Sequence, residues 1–109
     1  MRAMLVLGLA TAVLTWTACA PVVHAGCDSD ADCESRCETG RGAFPGGLCT
    51  RTCNKTEDCP ADAHCIDIEG GLCLIACSSM DQCRDFGSGY LCKDKKDVHG
   101  QPQLVCLGD

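Results

Sequence analysis

The chain has 109 residues, 13 of them cysteine, with 4% aromatic residues and a formal net charge of −6. Cysteine above about 8–10% in a short chain marks a disulfide scaffold rather than a fold held by a large apolar core. The acidic balance argues against binding nucleic acid or an anionic membrane through a basic face.

Residues 1–25 differ from the rest. Arg2 is followed by AMLVLGLATAVLTWTACA, an apolar run without a charge that breaks at Pro21. A positive start, an apolar stretch and small residues before a cut site are the layout of a secretory signal. Val23 and Ala25 stand where an A-x-A-like site would place cleavage, between Ala25 and Gly26. The alternative is a lipoprotein signal over residues 1–18, because TWTAC resembles a lipobox ending at Cys19, which would then carry the lipid. An uncleaved anchor is the third reading; it needs about 20 apolar residues, and Thr15, Thr17 and Pro21 weaken it. All three put the chain outside the cytoplasm: secreted, or in the cell envelope, with an outer-membrane lipoprotein as the anchored form.

From Gly26 onward 84 residues carry 12 cysteines, and Leu, Ile, Val and Phe make up 13 of them. So few large apolar residues cannot offset the conformational entropy of ordering the chain. Disulfides supply the missing stability, and loss of one from a small secreted domain costs ~2–5 kcal/mol. An even cysteine count in an exported chain agrees with that framework.

The cysteines fall into one pattern written three times. CDSDADC at 27–33, CNKTEDC at 53–59 and CSSMDQC at 77–83 are each a C-x5-C step. Each is followed by two more cysteines: Cys37 and Cys49, Cys65 and Cys73, Cys92 and Cys106. The expected fold is therefore small and disulfide-rich: three tandem four-cysteine repeats, at 26–52, 53–76 and 77–109, with short β-hairpins and little regular structure. All twelve cysteines, Cys27, Cys33, Cys37, Cys49, Cys53, Cys59, Cys65, Cys73, Cys77, Cys83, Cys92 and Cys106, are expected in bridges.

Taken in order, each C-x5-C step reads as a turn or one short helical turn, being rich in Asp, Asn and Ser. In the first repeat RGAFPGG is a loop in which Pro45 and Gly46 suit the centre of a type II turn. In the second, HCIDI and LCLIA flank a glycine turn, a hairpin signal. In the third, GYLCK and QLVCL form a wider hairpin around the charged stretch KDKKDVHGQPQ. If each repeat closes on itself, three pairings remain per repeat. The crossed one, first to third and second to fourth cysteine, ties turn to hairpin. Bridges between repeats across the C-x3-C junctions stay open as an alternative.

Asp28, Asp30 and Asp32 alternate as in a calcium loop. An EF-hand, however, needs glycine at its sixth position and glutamate at its twelfth, where this chain has Cys33 and Thr39. C-x3-C lies within zinc-ligand spacing, yet zinc thiolates suit a reducing compartment. Neither metal nor cofactor is expected. Catalysis has little to draw on: His64 and His99 read as solvent-exposed bystanders, and no G-x-S-x-G, HExxH, phosphate loop or C-x-x-C is present.

The pattern C-x5-C, then FPGGLC, then C-x3-C resembles cysteine-rich repeats of secreted proteins and lipoproteins in myxobacteria-like bacteria, and more distantly Dickkopf N-terminal and EGF-type modules. The resemblance covers residues 27–106 and implies a compartment and a bacterial source, with no reaction. The expected role is an exported, non-enzymatic interaction or structural module with a protein or envelope partner and with membrane contact only through a lipid at Cys19. A small inhibitor or toxin-like effector is the alternative, acting through the loops at 41–47 or 93–101 with Arg41 and an exposed Phe44 as anchors; a calcium-binding module is a third.

Overall fold

The computed structural model describes residues 21–40 and 42–109. Residues 1–20 of the expected leader, Cys19 among them, and Arg41 lie outside the described residues. Six disulfides link Cys27–Cys37, Cys33–Cys49, Cys53–Cys65, Cys59–Cys73, Cys77–Cys92 and Cys83–Cys106. Each group of four cysteines closes on itself, and each uses the crossed pairing. The Cα separations, 5.2–6.0 Å, are those of ordinary bridges.

Strands β1 (His24–Ala25), β2 (Arg36–Glu38) and β3 (Leu48–Thr50) form a three-stranded antiparallel sheet in the order β1-β3-β2. Strands β4 (Ala63–Ile66) and β5 (Leu72–Ile75) pair as a hairpin, as do β6 (Leu91–Lys96) and β7 (Pro102–Leu107). In each hairpin the third and fourth cysteines stand directly opposite one another: Cys37 and Cys49, Cys65 and Cys73, Cys92 and Cys106. Two half-cystines on one rung reach back to the two cysteines of the C-x5-C step, so the turn is fastened across the hairpin's middle.

The C-x5-C steps hold 3-10 turns at Asp30–Asp32 and Thr56–Asp58 and a helix, α1 (Met80–Phe86), in the third unit. The sequence suggested one turn in each. In the second unit Pro60 follows the second cysteine and cannot continue a helix. After Cys83 the run RDF carries no breaker until Gly87, and the helix extends.

The Gly-Gly-Leu-Cys step has one structural role in both units that contain it. Gly47 has φ +86° and Gly71 φ +129°, conformations that favour glycine. A Cβ on Gly47 would collide with the Cys27 carbonyl, and one on Gly71 with the Cys53 carbonyl. The second glycine thus lets the strand pass against the main chain at the unit's first cysteine. Preceding Gly47, the Gly47 N–H donates to the Phe44 carbonyl at 2.9 Å with Gly46 at φ +71°, the type II turn expected from Pro45–Gly46.

The three units share one core. Val23, Phe44, Leu48, Ile66, Leu72, Leu74, Tyr90, Val105 and Leu107 are buried together with several of the bridges. Main-chain bonds cross each junction. The Cys73 N–H donates to the Arg51 carbonyl, and the Thr50 hydroxyl to the Cys73 carbonyl at 2.5 Å, joining units one and two. Asp67 and Val98 N–H groups bond Lys96 and Cys65 carbonyls between units two and three. Gly108 N–H to Ala43 carbonyl, 2.8 Å, and Tyr90 hydroxyl to Gly47 carbonyl, 3.3 Å, connect three to one. The arrangement is a compact array, because every unit touches both others.

Candidate functional site

The residue just inside the second cysteine of each unit does the same work three times. One Asp32 carboxylate oxygen accepts the Asp28 and Ser29 N–H groups at 2.9 and 3.2 Å. Asp58 accepts those of Asn54 and Lys55 at 2.9 and 3.2 Å, and the Gln82 side-chain oxygen those of Ser78 and Ser79 at 2.5 and 3.1 Å. These amides open a helical turn and have no partner within it. The amide bonds hold the Asp32 and Asp58 carboxyls below the ordinary aspartate range. Asp30 accepts the Cys37 N–H at 2.8 Å, tying the turn to β2. Two of the three alternating aspartates, Asp30 and Asp32, therefore have carboxylates engaged with main-chain donors, and in unit three a glutamine amide oxygen takes the role of Asp32.

Three groups of cysteine sulfurs, 27/33/37, 53/59/65 and 77/83/106, lie within 4.8 Å of one another. Every one belongs to a bridge, and a metal ligand must be a thiolate. The clustering of these sulfurs is a by-product of two crossed disulfides side by side in each unit.

The loop at 41–47 differs from its expectation. Phe44, read as an exposed anchor, is 5% exposed. Its ring lies over Gly40, while Pro45 is held against Gly89 and Gly108 and the Ala43 carbonyl is bonded to Gly108. The loop is a seam between the first unit and the chain's last residues, which an aromatic ring closes because so few other large apolar side chains exist. The loop at 93–101 is also shorter than expected. β6 runs on to Lys96, opposite Pro102, and only residues 97–101 turn. Asp97 organises that turn: one carboxylate oxygen accepts the His99 and Gln101 N–H groups at 2.8 and 2.9 Å, the other the Gln103 side chain at 3.1 Å. These bonds hold its carboxyl below the usual range, and the side chain is buried. Sequence reading took the stretch for a solvated charged loop; an aspartate two residues before H-G is the Asx-turn signal that could have found the pivot.

This hairpin carries the most distinctive surface. Residues facing one another across a ladder share a face, so Asp94 with Leu104 and Lys96 with Pro102 lie on one side of β6–β7, beyond the Cys92–Cys106 rung. All four are exposed, Leu104 at 46%. Met80, at 42%, has its sulfur 3.2 Å from the Cys92 nitrogen and so lies alongside β6. Met80 and Leu104 are the two exposed large hydrophobic residues among the described residues, and both belong to the third unit. His64 is half-buried in β4 opposite Leu74, while His99 is exposed at the hairpin tip, its main-chain N–H on the Asp97 carboxylate. Glu38 is the one buried glutamate, paired with Arg36, which also approaches Glu69 at 3.7 Å. Burial raises the Glu38 carboxyl above its usual range, against the pull of Arg36.

Among the described residues no cavity opens in the surface, and no helix is long and apolar enough to cross a membrane. No protein-family model matches the chain, and neither the curated proteins nor the solved structures include a significant match.

Proposed function

We propose that the chain is an exported, non-enzymatic interaction module of the cell envelope or extracellular space, binding a protein partner through the Met80–Leu104 surface of its third unit. The observation that carries this reading is that both exposed large apolar side chains among the described residues belong to the third unit, one at the start of its helix and one on its hairpin, which two disulfides hold together. A rigid apolar spot rimmed by charges, here Asp94 and Lys96, is how small scaffolds present binding energy with little ordering cost. The six bridges point to an oxidising, extracytoplasmic setting. Burial of Phe44 removes one of the two anchors of the inhibitor reading.

The test places a photo-crosslinking residue at Leu104 and, separately, at Lys55 of the full-length protein in its native host. One discrete adduct from the Leu104 position, lost when Met80 is replaced by Lys and absent from the Lys55 position, is the expected result. Equal labelling from both positions would sink the proposal. A calcium-dependent rise in Tm that disappears in Asp30→Asn would instead restore the calcium reading.

A further inference from the structure

The strand β1 sits in the stretch where an A-x-A-like site places the end of a leader. It is an integral part of the first unit. His24 and Ala25 pair with Cys49 and Leu48, Val23 is 3% exposed within the shared core, and the Gly26 N–H donates to the Gly47 carbonyl at 2.8 Å. Ala25 is seated so closely on Gly87 that a Cβ there would lie 2.6 Å from its own.

The same element occurs in every unit. Thr52, immediately before Cys53, pairs with Leu72, immediately before Cys73. Ala76, immediately before Cys77, pairs with Val105, immediately before Cys106. Ala25, two residues before Cys27, pairs with Leu48, immediately before Cys49. Units two and three borrow this opening strand from the residues that end the preceding unit. In the first unit His24 and Ala25 supply it, with Val23 anchored in the core beside them. Without them β3 loses its neighbour along one side, although Leu48 and Cys49 are at most 1% exposed. Buried main-chain groups stripped of their partners destabilise a fold.

We infer that residues 22–25 belong to the mature fold, and that the export leader is removed by hydrolysis of a peptide bond upstream of Val22, not of the bond after Ala25. Water adds across that bond, leaving a carboxylate on the leader and an amine on the mature chain. The inference rests on strand pairing and is independent of the partner-binding reading; failure of the crosslinking test would leave it standing.

The experiment is the intact mass and N-terminal sequence of the full-length gene product exported by its native host. A mature chain that still contains residues 22–25 supports the inference, whether it begins at a diacylglyceryl-bearing Cys19 or at an unmodified residue up to Val22. A chain beginning at Gly26 overturns it. A second measurement uses Val23→Asp in the full-length gene. The retained strand predicts a Tm lowered by more than about 5 °C, whereas a product with the parent's mass and Tm shows that the position has been cut away.

Discussion

At the residue scale, stability is decided by single polar atoms that join segments distant in sequence. The Thr50 hydroxyl donates to the carbonyl of the fully buried Cys73 on β5, across the junction between the first two units. Thr50→Val preserves shape and strands that carbonyl, so urea unfolding should show a loss of about 1–3 kcal/mol with an unchanged m-value. Asp97 makes a pH-dependent contribution. Its folded-state pKa is lowered by the amide bonds it accepts, so the ionised carboxylate stabilises the fold above the ordinary aspartate range, and that contribution is lost as pH falls through the lowered value. Asp97→Ala should therefore melt below the parent at neutral pH, and the gap should close as the solution is acidified. Glu38 has the opposite sign. Its raised pKa means the favourable contribution is complete below the ordinary glutamate range and is lost as pH rises through the raised value. Glu38→Gln should flatten the Tm profile across that interval.

At the element scale, the recurring Gly-Gly-Leu-Cys step gives a paired test. Gly70 and Gly71 both have positive φ, at +85° and +129°, but a Cβ on Gly70 meets nothing within 4 Å, while one on Gly71 meets the Cys53 carbonyl. Gly70→Ala should cost about 1–2 kcal/mol from backbone strain; Gly71→Ala should cost clearly more, and alkylation should reveal free thiols in part of the product. Phe44→Ala should cost about 3–5 kcal/mol in thermal or urea unfolding, a stability effect that a merely exposed contact residue would not show. These elements also mark what the sequence could say. Cysteine spacing, the Pro45–Gly46 turn and alternation around Cys65 and Cys73 were legible because disulfide rungs and hairpins are local and leave a period in the chain. Burial of Phe44 was not, since the loop that carries it is closed from a different unit, by Gly89 and Gly108 against Pro45 and by the Gly108 bond to Ala43. β1 was hidden for another reason: PVVHA carries the small and β-branched residues that suit both a cleavage site and a strand. The Met80–Leu104 surface was equally illegible, because it depends on how a helix start and a hairpin meet in space.

At the scale of the whole molecule, two crossed bridges per unit stand in for the core a chain this short cannot build. Replacing Cys59 and Cys73 together by Ser removes the middle unit's bridge of sequence separation 14 and should cost about 2–5 kcal/mol. The other five bridges should still resist alkylation until reduced. Junction bonds make the damage spread, so β6–β7 amides that lean on the middle unit should exchange faster in the double variant than in the parent. The shared opening strand has a last consequence for modularity. A unit cut from cysteine to cysteine lacks its first strand and carries its neighbour's, so the interchangeable length of chain is out of phase with the cysteine pattern by a few residues. Splicing a unit in or out would succeed only with the joint placed upstream of the strand, near Leu48 or Leu72, where the residues that close one unit begin to open the next.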